Sequence, residues 1–158
     1  MKPVEAARKA AVLFVVLCML FLFPASRGLA QSSLPQPKLI FTGTEDYEAN
    51  GARFTRYWLS VSNRSEFPDE LFAAEPNLPP CGKNTNSSRS WVDIYQADGK
   101  RIYGFCALNS ANSLGKLWFA VPRDQTPPDS VYIVIVDRKL KRELKSNLAQ
   151  VKGSVTTR

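Results

Sequence analysis

The sequence predicts an all-β fold in which two antiparallel sheets pack as a β-sandwich. Three observations predict this class. Six or seven short runs have strand composition, prolines and glycines separate them, and the run from Ser130 to Asp137 is almost wholly apolar, as in a strand buried on both faces. The 158 residues have room for one domain with a tail, and an apolar fraction of 44% is enough for a packed core.

The first thirty residues are predicted to be a secretory signal peptide. Lys2, Arg8 and Lys9 precede an uncharged run from Ala10 to Phe23, and a small-x-small exit ends at Ala30. This run is shorter than the roughly 20 residues that cross a bilayer, so cleavage is favoured over the alternative of an uncleaved anchor. The protein is therefore expected to be secreted or periplasmic.

Cleavage after Ala30 divides the chain into a leader (1–30), a flexible lead-in (31–38), a sandwich domain (39–152) and a tail (153–158). The leader holds four basic residues and one acidic residue, so its removal lowers the formal net charge from +7 to +4. That charge is too small for a nucleic-acid footprint but is compatible with attraction to anionic surfaces. No stable membrane insertion is expected after cleavage.

Two cysteines, Cys81 and Cys106, remain after cleavage and are predicted to form one disulfide. An even pair usually closes in an oxidising compartment, whereas CxxC spacing is absent and two thiolates without histidine make half a zinc site. The chain-entropy model gives such a loop about 3.5 kcal/mol of stabilisation.

The strand predictions follow the apolar runs. Asp98-Gly99 separates two of these runs and predicts a β-hairpin. The acidic segment 43–51 is expected to be a turn, residues 63–90 a long irregular loop with one helical turn at 69–74, and residues 109–116 a polar connector. The predicted strands are Leu39–Thr42, Phe54–Ser62, Trp91–Tyr95, Lys100–Cys106, Leu117–Val121 and Ser130–Asp137.

Residues 138–151 admit two interpretations. The helical alternative has Asp137 as its N-cap and an apolar residue at helical spacing at Leu140, Leu144, Leu148 and Val151. A basic turn followed by a last strand, 143–151, is the alternative that we favour, because the strong strand before it needs a partner.

The run from Thr126 to Val134 (TPPDSVYIV) resembles the turn-into-strand corner of immunoglobulin-like and fibronectin type III domains. The resemblance implies an immunoglobulin-like sandwich in which Tyr132 bonds back to the corner backbone. Cys81 and Cys106 are too close in sequence to be the inter-sheet pair of a true immunoglobulin domain. The resemblance therefore implies an architecture and no functional site.

The composition argues against most catalytic chemistry. The chain has no histidine, which excludes histidine bases and histidine-ligated metals, and no cofactor or metal motif is present. Two acidic loop groups are the only candidates for carboxylate catalysis, and solvated acids are the expected interpretation of them. These residues are Glu45, Asp46, Glu48, Glu66, Asp69 and Glu70.

The sequence predicts a non-enzymatic module that recognises an extracytoplasmic protein or glycan. Aromatic side chains offer large contact area at low entropy cost, and Trp58 shares a strand face with Arg56. An inhibitor of an extracytoplasmic enzyme that uses the loop 76–90 is one alternative, and a carboxylate-dependent hydrolase is another. The candidate binding residues are Arg56, Trp58, Lys83, Arg89, Arg138 and Lys139.

Overall fold

The computed structural model describes residues 34–78, 88–106 and 108–151. Over these residues the fold is all-β, as predicted, with strands in two antiparallel sheets, three short 3-10 turns and no α-helix. The strands are β1 (Leu39–Ala49), β2 (Ala52–Val61), β3 (Ser90–Gln96), β4 (Arg101–Cys106), β5 (Leu117–Pro122), β6 (Ser130–Asp137), β7 (Arg142–Lys145) and β8 (Ala149–Gln150). The 3-10 turns are Arg64–Glu66, Asp69–Phe72 and Ala111–Gly115.

One sheet has three strands and the other has five. The three-stranded sheet has the order β1-β2-β5, and the five-stranded sheet has the order β4-β3-β6-β7 with β8 also paired to β6. Cys81 and the leader lie outside the described residues, so the disulfide and the signal peptide stay predictions.

A single hydrophobic cluster takes side chains from both sheets and from the 3-10 turns. The strand β6 is buried on both faces, as its unbroken apolar sequence predicts. Period-two alternation places the core residues of the other strands in pairs two positions apart, as in Leu59 and Val61 on β2 and in Val92 and Ile94 on β3. Fully or almost fully buried members include Leu59, Val61, Phe119, Val92, Ile94, Ile133, Ile135, Leu71 and Leu114.

The prediction of a turn over residues 43–51 is wrong for most of that segment. Strand β1 continues to Ala49, and the hairpin turns at Asn50 and Gly51 with φ of 52° and 75°. Two successive positive φ angles are typical of the type I′ hairpin turn, which favours Asn-Gly. The acidic residues tolerate a strand because basic residues lie opposite them, in the pairs Glu45–Arg56 and Glu48–Arg53.

The predicted β3–β4 hairpin is confirmed. Gly99 has φ of 91°, and its N–H donates to the carbonyl of Gln96 at 3.0 Å. The predicted helical turn in the long loop is present as the 3-10 turn Asp69–Phe72.

Residues 109–116, predicted as a polar connector, do join β4 to β5, but part of this segment is buried in the core. The 3-10 turn Ala111–Gly115 buries Ala111 and Leu114, and Leu108 before it is also buried. The Ala111 N–H donates to the Asp69 carboxylate at 3.1 Å, which fixes the turn over the core. Two apolar residues, Ala111 and Leu114, are enough to make this otherwise polar segment part of the hydrophobic core.

Residues 138–151 form a turn and two short strands, so the favoured strand interpretation is confirmed and the helical one is wrong. The interruption between β7 and β8 comes from Ser146 and Asn147. The Ser146 hydroxyl accepts a hydrogen bond from the Ile133 N–H at 2.9 Å, replacing one ladder bond of β6.

Two asparagine side chains hold the start of β1. The Leu39 N–H donates to Asn147 Oδ1 at 2.8 Å, and Asn147 Nδ2 donates to the Leu39 carbonyl at 3.0 Å. The Lys38 N–H donates to Asn63 Oδ1 at 2.8 Å, and Asn63 is only 7% exposed. The lead-in from residue 34, expected to be flexible, is therefore fixed where it enters β1.

Replacing Asn147 by alanine should lower the free energy of unfolding by about 1–3 kcal/mol, because the backbone groups of the buried Leu39 lose their partners. Urea denaturation measures this change. Asn109→Ala removes an exposed asparagine and should change stability by less than about 0.5 kcal/mol. Equal effects of the two substitutions would contradict the assigned role of Asn147.

Candidate functional site

An aromatic cluster surrounds Arg56 on the outer face of the three-stranded sheet. The Arg56 Cζ lies 4.1 Å from the Tyr47 ring centroid, 4.7 Å from that of Trp118 and 5.3 Å from that of Trp58. Glu45 Oε2 accepts hydrogen bonds from Arg56 Nη1 at 3.3 Å and from Trp58 Nε1 at 3.1 Å. We call these five residues the Arg56 cluster.

Strand register brings the Arg56 cluster together. Arg56 and Trp58 are two residues apart on β2, so they share a face, whereas Leu59 points into the core. On β5, Trp118 lies directly opposite Trp58, and on β1, Glu45 lies opposite Arg56. One hairpin, β1–β2, and the sequence-distant strand β5 therefore deliver one arginine, one carboxylate and three rings to one surface.

The rings desolvate the guanidinium of Arg56 while Glu45 stays in contact with water. The Arg56 side chain is 18% exposed and that of Glu45 is 54% exposed. Arg56 Nε has no hydrogen-bond partner among the described residues, so the ring faces take the place of acceptors on that side. The Arg56 side chain is therefore held in one conformation before binding. A complex with a partner then loses little additional side-chain entropy at this residue.

Trp118 also joins this surface to the neighbouring edge of the other sheet. Its ring centroid lies 4.9 Å from that of Tyr103 and 6.1 Å from that of Phe105, both on β4. These rings are half-buried, which gives a continuous aromatic surface rather than isolated exposed side chains.

A cleft of about 430 Å³ shares Tyr47 with the Arg56 cluster. The other lining residues carry charge: Asp46, Glu48, Arg53 and Arg123. Arg123 and Asp46 form an ion pair. Asp46, Glu48 and Arg53 alternate with Glu45, Tyr47 and Arg56 along β1 and β2, so their side chains belong to the opposite face of the sheet from the Arg56 cluster.

The other predicted binding residues lie on the five-stranded sheet and its approach. Arg89 binds Asp137 through two hydrogen bonds of 3.0 and 2.8 Å, and Arg142 Nε binds the same carboxylate at 3.1 Å. Asp137 is fully buried, and burial by itself raises its pKa. The hydrogen bonds from Arg89, the Leu140 N–H and Arg142 outweigh that effect and hold the Asp137 pKa below its ordinary value.

Arg138 and Lys139 are also engaged. Arg138 Nη1 donates to the Ser88 carbonyl at 2.9 Å, and its Cζ lies 5.1 Å from the Trp91 ring centroid. Lys139 Nζ pairs with Glu75 Oε2 at 2.9 Å. Lys83 lies outside the described residues. The structure therefore unites Arg56 with Trp58, and places Arg89, Arg138 and Lys139 in a separate group.

Three members of the Arg56 cluster, Glu45, Tyr47 and Trp118, were not predicted as binding residues from the sequence. Glu45 and Tyr47 lie in the segment predicted to be a turn, and Trp118 lies in a predicted strand, Leu117–Val121, to which no binding residue was assigned. The Asn50-Gly51 pair was the available signal for Tyr47, because a hairpin turn there extends β1 through residue 47. No local signal reveals that Trp118 lies opposite Trp58.

The acidic residues are mostly bound to neighbours. Besides the contacts of Glu45 and Asp46, the Glu66 carboxylate accepts a hydrogen bond from Asn63 at 3.1 Å. In the three described segments, no group of three or more His, Cys, Asp or Glu side chains could hold a metal ion, and no helix is long and apolar enough to span a bilayer.

Comparisons of the chain with protein-family models, with curated proteins and with solved structures find no match. The function is therefore argued from the geometry of this chain.

Proposed function

We propose that this protein is an extracytoplasmic, non-enzymatic binding module with an immunoglobulin-like β-sandwich fold, and that it recognises a partner protein through the Arg56 cluster. Export rests on the leader sequence, and the Cys81–Cys106 disulfide accompanies it. The sandwich arrangement is supported by the one hydrophobic cluster to which both sheets contribute.

The composition of the Arg56 cluster carries the proposal. Tryptophan, tyrosine and arginine are the residues that contribute most binding energy at protein interfaces, where they gather at the centre of the contact. Here Tyr47, Trp58 and Trp118 surround Arg56 on one sheet face, and the exposed Glu45 binds Arg56 and Trp58. Enrichment in aromatic residues and arginine is typical of a protein-binding surface.

The partner would be bound by non-covalent surface contacts alone, with no chemical reaction. A partner would cover the half-buried rings, and the ordered guanidinium and the exposed Glu45 carboxylate would supply directional hydrogen bonds. Because the cross-strand contacts fix these groups beforehand, binding loses little side-chain entropy.

The test is capture of partners from the extracellular fraction of the native source by the immobilised protein, followed by affinity measurement on the captured partner. Replacing Tyr47 by alanine should weaken binding about thirtyfold, the loss of about 2 kcal/mol expected at a hot spot. The matched control, Tyr95→Ala, removes a half-buried tyrosine from the other sheet and should bind within twofold of the unmodified chain.

Equal weakening by the two substitutions, or none by Tyr47→Ala, would place the contact elsewhere. A glycan array run in parallel addresses the carbohydrate alternative. Specific glycan binding that Tyr47→Ala abolishes, with no captured protein, would overturn recognition of a protein. The unfolding midpoint of each variant separates loss of contact from loss of fold.

A further inference from the structure

The turn between β6 and β7, residues 138–141, presents a leucine between two lysines. Leu140 is 45% exposed, one of three large apolar side chains among the described residues with this degree of exposure, and Lys139 and Lys141 beside it are exposed as well. An apolar side chain flanked by basic ones is typical of segments that rest on an anionic membrane surface.

The turn is held rigidly by its own sequence. The Leu140 N–H donates to Asp137 Oδ1 at 3.2 Å, and the same buried carboxylate binds Arg89 and Arg142. The Arg138 N–H donates to the Arg89 carbonyl at 2.9 Å. Leu140 and the lysines are therefore presented on a preformed loop, which lowers the entropic cost of docking.

Basic side chains outnumber acidic ones in this region. Their acidic partners are the buried Asp137 and the partly exposed Glu75, and Glu143 beside them is exposed. Lys145 Nζ lies 4.1 Å from the Tyr132 ring centroid, so its charge lies on the same sheet. The basic residues in or beside the turn are Arg89, Arg138, Lys139, Lys141 and Arg142, and Lys145 lies further along β7, opposite Val134.

Lys141 occupies a position that suits glycine better. Its φ is 51°, a left-handed conformation that most side chains disfavour and that glycine adopts without strain. Departures from local backbone preference of this kind concentrate at functional sites. A lysine at this place adds positive charge to the tip of the turn, where a glycine would add none.

We propose that the β6–β7 turn is a membrane-contact site that binds anionic phospholipid headgroups through Lys139 and Lys141, with Leu140 entering the bilayer interface. The exposed leucine favours a lipid surface over a soluble polyanion, because a soluble polyanion offers it no apolar phase. This contact uses the five-stranded sheet and is independent of the Arg56 cluster, so either proposal can fail alone.

The experiment is vesicle co-sedimentation of the chain with liposomes of phosphatidylcholine alone or mixed with phosphatidylserine. Binding should require phosphatidylserine and weaken as salt concentration rises. Joint replacement of Lys139 and Lys141 by serine should reduce affinity about thirtyfold, since each basic residue contributes roughly 1 kcal/mol at such a surface. The unmodified chain and every variant begin at Gln31, as the predicted cleavage leaves the chain, so the apolar run 10–23 contributes nothing to vesicle binding.

Two further variants separate fold from contact. Lys141→Gly relieves the left-handed strain, so it should leave the unfolding temperature no lower while weakening vesicle binding about fivefold. Leu140→Ser should also weaken vesicle binding about fivefold. Leu148→Ser alters a leucine that is 51% exposed between β7 and β8 and should have no effect.

Three outcomes would overturn the proposal. One is absence of binding to phosphatidylserine vesicles at low salt. Another is an equal loss in the control that replaces the exposed Lys100 and Lys116 by serine, since net charge alone would then explain it. The last is binding to soluble heparin as tight as to vesicles, with no effect of Leu140→Ser on either, which would indicate a polyanion site instead.

Discussion

Replacing Asp137 by asparagine is expected to lower the free energy of unfolding by about 3 kcal/mol. Removing one partner of a buried ion pair leaves the other charge uncompensated and costs about 3–5 kcal/mol. The lower end applies here because the side chains of Arg89 and Arg142 are 19% and 29% exposed and regain some hydration. Urea denaturation at neutral pH measures the change.

The control is Asp124→Asn, which neutralises an exposed aspartate and should alter stability by less than about 0.5 kcal/mol. If Asp137→Asn were equally mild, the three hydrogen bonds that converge on its carboxylate from Arg89 and Arg142 would contribute nothing net to the fold.

The pH dependence of this effect has a definite sign. Folding lowers the pKa of Asp137, so its contribution is complete above the unfolded value of about 3.9 and is lost as pH falls through the lower folded pKa. The stability difference between the unmodified chain and Asp137→Asn should therefore be constant near neutrality and shrink below about pH 4. A difference that grew on acidification would contradict the lowered pKa.

Local sequence signals were sufficient where the interactions they report are local. Asp98-Gly99 predicted the β3–β4 hairpin because a tight turn needs positive φ at glycine, and the apolar run of β6 predicted burial on both faces. The same logic applied to Asn50-Gly51, but the acidic residues before it suggested a loop. Their partners lie on the next strand, and composition alone does not reveal that pairing.

The candidate site also has one part that local sequence signals predict and one part that depends on long-range strand pairing. Period-two alternation within one strand is enough to place Arg56 and Trp58 on a common face. The rest of the cluster depends on the pairing of β5 with β2, because Trp118 is sixty positions from Trp58 in the numbering and reaches it through sheet order. Likewise, Asn147 meets Leu39 across 108 positions, and nothing near either residue indicates that contact.

Leu114→Ala is expected to lower the free energy of unfolding by about 3 kcal/mol, within the range of about 2–5 kcal/mol for truncating a fully buried leucine. Leu114 is 0% exposed in the 3-10 turn Ala111–Gly115, in a segment whose composition is otherwise polar. Truncation removes the apolar contacts of this side chain and leaves a cavity in the core that both sheets share.

Asn112→Ala, two residues away in the same turn, is the matched control. Asn112 is exposed, so its truncation should change stability by less than about 0.5 kcal/mol. Chemical denaturation of both variants decides whether residues 111–115 are part of the hydrophobic core or a surface linker. If they are part of the core, the two substitutions should differ by several kcal/mol in their effect on the free energy of unfolding, because the loss depends on how deeply the truncated side chain is buried and not on its position in the loop.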